Sequence, residues 1–140
     1  MLIHASCVAL DGKAVLLSGP PGVGKSDVAL RLIDGGAVLV ADDQVFLRCE
    51  GHILMASPPS TIAGKMEIRH IGLMEMPFMA SAPVVLFVEL VGFDIDLDRL
   101  PDADEVFFLD QSVQRLRLPA SAASTPAKIC AILQYKKSDA

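Results

Sequence analysis

At 140 residues the chain suits one domain and is long enough to bury a real core. With 52% of residues apolar and 21% charged it is not a disordered chain, and a formal net charge of −5 argues against a general nucleic-acid binder, which would present a basic face. Three scattered cysteines (Cys7, Cys49 and Cys130) without CxxC spacing point to neither a disulfide framework nor a zinc site, and read as reduced thiols of a cytoplasmic protein.

Residues 2–10 alternate as a strand, and Asp11-Gly12 is a turn signal of hairpin type. The opening has no basic leader, and the chain has no apolar run near the ~18 residues of a membrane span. Neither a secretory signal nor a membrane association is therefore expected, and the fold is expected to begin almost at once. Residues 13–18 (KAVLLS) have the apolar character of a buried strand. A glycine- and proline-rich loop over 19–24 precedes a predicted helix over about 25–34. That helix has Val28, Ala29, Leu32 and Ile33 on one face and Gly35-Gly36 as its stop. Residues 37–41 (AVLVA) predict another buried strand, ending in Asp42-Asp43.

A hairpin is expected over 45–49 and 52–55 around Glu50-Gly51, followed by a loop over 57–64. Residues 65–76 mix charged and apolar residues and fit neither period, and 77–83 read as loop. The run VVLFVELV at 84–91 is the strongest strand pattern in the chain. An acidic loop at 94–104 and short strands at 105–109 and 114–118 follow. Ser124-Thr125-Pro126 starts a helix, with a hydroxyl cap and an early proline, that runs to about Gln134; residues 135–140 are expected to fray. The order predicts an α/β fold, a single unit over 1–140 whose mixed β-sheet carries few helices, rather than an alternating βα series.

Gly19-Pro20-Pro21-Gly22-Val23-Gly24-Lys25-Ser26 fits the phosphate-loop pattern G-x-x-x-x-G-K-[ST]. Glycines let backbone N–H groups approach phosphate oxygens without an intervening Cβ. The helix that starts at Lys25 points its positive end at the anion. Lys25 can reach the β and γ phosphates, and the Ser26 hydroxyl can ligate Mg2+. A buried strand before the loop and an amphipathic helix after it give the motif its required context. The expected ligands are thus ATP or a related nucleotide with Mg2+. Asp42 and Asp43 end the next strand, where one carboxylate can position the metal and the other can accept a proton from an attacking hydroxyl.

With these residues in order, the chain resembles the catalytic domain of HPr kinase/phosphorylase. The resemblance rests on His4, the loop GPPGVGKS, the strand ending Ala41-Asp42-Asp43, the segment MEIR (Met66, Glu67, Ile68, Arg69) and Asp98-Arg99-Leu100. It runs over about residues 1–100 and looks most like the short forms that lack the family's N-terminal domain. It implies a fold related to phosphoenolpyruvate carboxykinases. It also implies an ATP- and Mg2+-dependent serine kinase that phosphorylates HPr or a related phosphocarrier of the phosphotransferase system. By the same resemblance Lys25 would bind the β and γ phosphates, Ser26, Asp42 and Glu67 would hold magnesium, and Asp43 would be the base, with Asp42 beside it. His4 would belong to the active site, and Arg99 would stabilise charge on the transferring group. A homo-oligomer is implied, hexameric in the family.

Taken alone, Glu67 and Arg69 also read as a solvated charge pair, Arg99 as a surface ion pair and His4 as a core or edge histidine. On a strand, the i, i+2 spacing of Glu67 and Arg69 would put both on one face. The chain departs from the family in EIRHIG, where His70 replaces a glycine. It also lacks, over 118–125, the basic segment tied to the reverse reaction, which favours a kinase without phosphorylase activity. Two other readings use the same loop: a small-molecule kinase or NTPase, and a nucleotide-binding regulatory module.

Overall fold

The computed structural model describes residues 1–138. In chain order the strands and helices are β1 (Leu2–Ile3), β2 (Ser6–Leu10), β3 (Lys13–Ser18), α1 (Lys25–Asp34), β4 (Val38–Ala41), β5 (Val45–Glu50), β6 (Ile53–Ser57), β7 (Lys65–Ile68), β8 (Gly72–Glu75), β9 (Ala82–Val91), β10 (Glu105–Phe108), β11 (Gln111–Pro119) and α2 (Thr125–Gln134). The main sheet has the order β1-β5-β6-β9-β3-β2-β4, with β11 paired to β9 and β10 to β11; β7 and β8 form a separate hairpin. The sheet is mixed. β3 and β11 run parallel to β9, whereas β2 runs antiparallel to both β3 and β4.

Strand alternation builds two cores. Val8, Val15, Leu17, Leu86, Val88 and Leu90 face the helices and pack with Val28 and Leu32 of α1 and Ile129 of α2. Cys7, Ala9, Ala14 and Leu16 join the opposite core, against Val40, Val45, Leu47 and Leu54. Asp11 (φ 49) and Gly12 (φ 78) make the β2–β3 turn with two positive φ values, as a two-residue type I′ hairpin requires. α1 ends where expected: Gly36 takes φ 113, and the Ala37 N–H donates to Leu32 O at 3.0 Å. Among the described residues no helix is long and apolar enough to cross a membrane.

Several local expectations change. The strand expected over 2–10 is broken at His4-Ala5, because β1 pairs with β5 while β2 pairs with β3 and β4; the two halves serve different partners. The ambiguous stretch 65–76 is the β7–β8 hairpin, turned through Arg69, His70 and Ile71 with His70 at φ 73. β11 begins at Gln111, earlier than expected, because Leu109 (φ 49) and Asp110 (φ 63) close a tight turn from β10. Ser124 holds the N-cap position of α2 but makes no side-chain cap bond; the Thr125 hydroxyl instead donates to Pro119 O. Of the tail expected to fray, residues 135–138 belong to no helix or strand, and 139–140 lie outside the described residues.

Candidate functional site

Strand direction gathers the polar residues. Since β2 is antiparallel to both β3 and β4, the start of β2 lies at the same sheet edge as the ends of β3 and β4. The ends of β9 and β11 reach that edge too, through their parallel pairing with β3 and with each other. His4, Ser6, the loop after Ser18 and the Asp42-Asp43 pair therefore converge, although 36 residues separate Ser6 from Asp42.

The loop leaves β3 against β9. Gly19 has φ 147, and a Cβ there would lie 2.7 Å from Leu90 O and 2.9 Å from Val23 Cγ1, so only glycine fits. The Val23 N–H donates to Pro20 O at 3.2 Å, tightening the loop, and Val23 packs on the helix-side core. Gly24, at φ 118, is the N-cap of α1 and offers no side-chain cap, which leaves the first-turn N–H groups directed at the loop's interior. Lys25 Nζ donates to Gly19 O at 2.8 Å and Pro20 O at 3.3 Å, so the ammonium sits across the loop mouth.

Asp42 lies beneath this loop and is buried. Its Oδ1 accepts from Ser26 Oγ (2.8 Å) and Ser6 Oγ (3.1 Å), and its Oδ2 accepts the Glu67 N–H (3.3 Å). A register shift between β2 and β4 at Cys7/Val8 precedes the pair, the local geometry by which a bulge re-aims the residues beyond it. Asp43 then takes φ 68 and stands exposed in the cleft.

The β7–β8 hairpin forms the facing wall. Met66 is buried in the helix-side core and anchors β7, which turns the neighbouring Glu67 outward. The result is a cleft of about 800 Å³ lined by His4, Gly19, Pro21, Gly22, Gly24, Lys25, Ser26, Asp43, Glu67, Arg69 and His70 among others. Of the residues singled out in the sequence, Asp42 is in the floor under Ser26, and Pro20 and Val23 shape the loop from behind. Arg99 is elsewhere: it is exposed on the 92–104 segment and does not line the cleft. Sequence reasoning passed over Ser6, whose only signal is a hydroxyl at the head of an otherwise apolar strand.

The donor set suits a hard divalent cation held in part by a nucleotide. Asp27, also on the cleft wall, is committed to Arg31 at 3.2 Å. That leaves Asp42, Asp43 and Glu67 against Lys25 and Arg69, a negative balance that an anionic polyphosphate would worsen unless a cation came with it. Among the described residues no three His, Cys, Asp or Glu side chains form a metal cage. Magnesium does not need one, since it keeps waters and takes one or two carboxylates plus phosphate oxygens.

The chain matches the family model described as HPr Serine kinase C-terminal domain over residues 1–138. It is 38% identical over 128 residues to the HPr kinase/phosphorylase of Caldanaerobacter subterraneus subsp. tengcongensis, covering 84% of this chain and 42% of that protein. Against the HPr kinase/phosphorylase of Clostridium acetobutylicum the identity is 30% over 129 residues, 90% of this chain and 42% of the relative. The chain thus spans about 42% of the length of these curated relatives. The solved structure of the Hpr(Ser) kinase/phosphatase from Coxiella burnetii superposes with a TM-score of 0.81 at 29% identity, covering 92% of this chain and 91% of that one.

Proposed function

The chain belongs to the HPr serine kinase C-terminal domain family, and from that premise we propose that it transfers the γ-phosphoryl group of ATP, with Mg2+, to a serine of HPr or a related phosphocarrier of the phosphotransferase system. One observation carries the reading: Ser26 of the phosphate loop donates at 2.8 Å to buried Asp42, whose chain neighbour Asp43 faces the cleft. A metal-holding hydroxyl and an exposed base are thereby fixed to one short segment.

In this scheme Lys25 exchanges its bonds to Gly19 O and Pro20 O for the β and γ phosphate oxygens, and the first-turn amides of α1 hold the phosphates. Ser26 and Glu67 would be the protein ligands for magnesium, and Asp42 keeps Ser26 oriented by accepting its hydrogen bond. Magnesium, when bound, neutralises charge that builds on the phosphates during transfer. Asp43 accepts the hydroxyl proton of the incoming serine as its oxygen forms a bond to the γ-phosphorus and the bond to the β-phosphate oxygen breaks. His4 and Arg69 flank the transferring group. Arg99 enters the scheme only as a group delivered from outside the cleft. We propose the kinase direction alone, because residues 118–125 lack the basic segment tied to the reverse reaction, a cytoplasmic setting, from the scattered reduced cysteines, and a homo-oligomer, by extension from the family resemblance.

The test is incubation with γ-labelled ATP, magnesium and purified HPr, followed by mapping of the modified residue. Label on one HPr serine, lost in Asp43→Asn, is the expected result. Intact nucleotide binding with no transfer to any HPr-like acceptor would overturn the reading.

A further inference from the structure

Ser6 is fully buried, with 0% exposure, at the start of β2 and in the middle of the polar floor of the cleft. A hydroxyl has one proton to give and lone pairs to receive. Ser6 uses both capacities: Oγ donates to Asp42 Oδ1 at 3.1 Å and accepts the Asp43 N–H at 3.3 Å. One oxygen therefore grips the side chain of the first aspartate and the backbone of the second.

The second grip matters because of the backbone it holds. Asp43 sits at φ 68, a left-handed conformation uncommon for a residue with a Cβ, although aspartate takes it more readily than most. Elsewhere in the chain such conformations occur in tight turns, at Asp11, His70, Leu109 and Asp110, where hairpin closure enforces them. Asp43 lies between β4 and β5 in a tight bend closed by the Gln44 N–H to Asp42 O at 2.8 Å, and its own N–H is held by Ser6 Oγ, so a local turn and a bond from β2 fix its backbone together. The first grip matters because Asp42 Oδ1 is also the acceptor for Ser26. With the Ser6 proton on one side of that oxygen, the carboxylate cannot rotate without losing a bond to a buried hydroxyl.

We infer that Ser6 is a positioning residue: it sets the rotation of the Asp42 carboxylate, and hence the direction of Ser26, and at the same time braces the turn that presents the Asp43 carboxylate to the cleft. This rests on the phosphoryl-transfer reading above for its consequence, and on geometry alone for its mechanism. Alanine at this position removes the oxygen and little volume, so it leaves the Asp43 amide without its acceptor and Asp42 with one donor fewer.

The experiment compares the full chain with its Ser6→Ala and Ser6→Thr variants in three measurements: exchange of the Asp43 amide proton, magnesium dependence of ATP-analogue binding by calorimetry, and steady-state transfer to HPr. For Ser6→Ala, with a cooperative melt retained, Asp43 exchange should accelerate at least about tenfold. Half-saturating magnesium should rise roughly tenfold, and kcat should fall about 10- to 100-fold while KM for ATP stays within about twofold, the size seen when groups that orient a metal site are removed. Ser6→Thr, which keeps the hydroxyl, should restore most of each loss. Wild-type exchange and magnesium dependence in Ser6→Ala would overturn the inference. So would equal impairment of a well-folded Ser6→Thr, which would mark a packing role; if Ser6→Thr does not melt cooperatively, the alanine variant decides alone. Should the wild type transfer to no carrier, the proposed function fails, yet the exchange and magnesium measurements still decide the role of Ser6.

Discussion

Two carboxylates on the main sheet are satisfied in opposite ways. Glu89 of β9 meets cations: Arg115 donates to it, Arg117 Nε lies 3.4 Å away, and Asp104 stands 3.7 Å from Arg115. Asp42, at the end of β4, takes two hydroxyls and one amide, all neutral donors among the described residues. The first arrangement cancels the negative charge and ties β9 to β11. The second hydrogen-bonds the carboxylate fully but leaves its charge uncompensated, which is what a site for an incoming cation requires. A second cleft, of about 400 Å³, borders the arginine cluster through Arg115 and Arg117, but there the charge is already matched.

Substitutions at the two places should therefore fail differently. The largest effect is expected from Asp43→Asn, which should lower transfer by about 10²- to 10⁴-fold, the usual worth of a positioned base, while Mg-ATP binding by calorimetry stays within about threefold. Next, Asp42→Asn should weaken magnesium-dependent nucleotide binding by roughly 10- to 100-fold. Glu89→Gln, by contrast, should leave magnesium dependence unchanged and lower stability by about 1–3 kcal/mol in a denaturant titration. The reason is that it weakens the partner of an arginine whose Nε is already buried without a hydrogen bond among the described residues. A magnesium defect in Glu89→Gln would erase the distinction. The smallest change is chemical rather than energetic. Cys7 follows Ser6 on β2 but faces the opposite core, and burial pushes its thiol above the ordinary cysteine value. Its thiolate is therefore disfavoured at neutral pH, and a thiol reagent should label exposed Cys49 quickly and Cys7 only on unfolding. Rapid native labelling of Cys7 would mean that this core opens to water.

What could be read in advance was local. The strand, loop and helix over 13–34 form a contiguous unit in which each residue type answers a neighbour's demand, so the phosphate loop and its helix stop were legible. So was the acid pair, because a strand end announces itself. The break at His4-Ala5 was not, since it reflects the separate partners of β1 and β2, which lie far along the chain. The β7–β8 hairpin was obscured because its turn places His70 where a glycine would have signalled positive φ. Glu67 could be suspected only through resemblance; its place beside Asp42 follows from Met66 anchoring β7 in the core. Arg99 shows the reverse case, a residue whose motif suggested the cleft and whose segment lies outside it in this structure.

The close approach of Gly19 to Leu90 O couples the start of the chain to its middle. A phosphate loop is usually thought of as a self-contained cassette, yet here one of its walls is built about seventy residues downstream, by a strand that also pairs with β3. During synthesis the cassette therefore stays unfinished until β9 has left the ribosome and zipped against β3, a long-range closure of the kind that slows folding. A nascent chain stalled before residue 82 would carry the complete motif and still lack one wall of the loop.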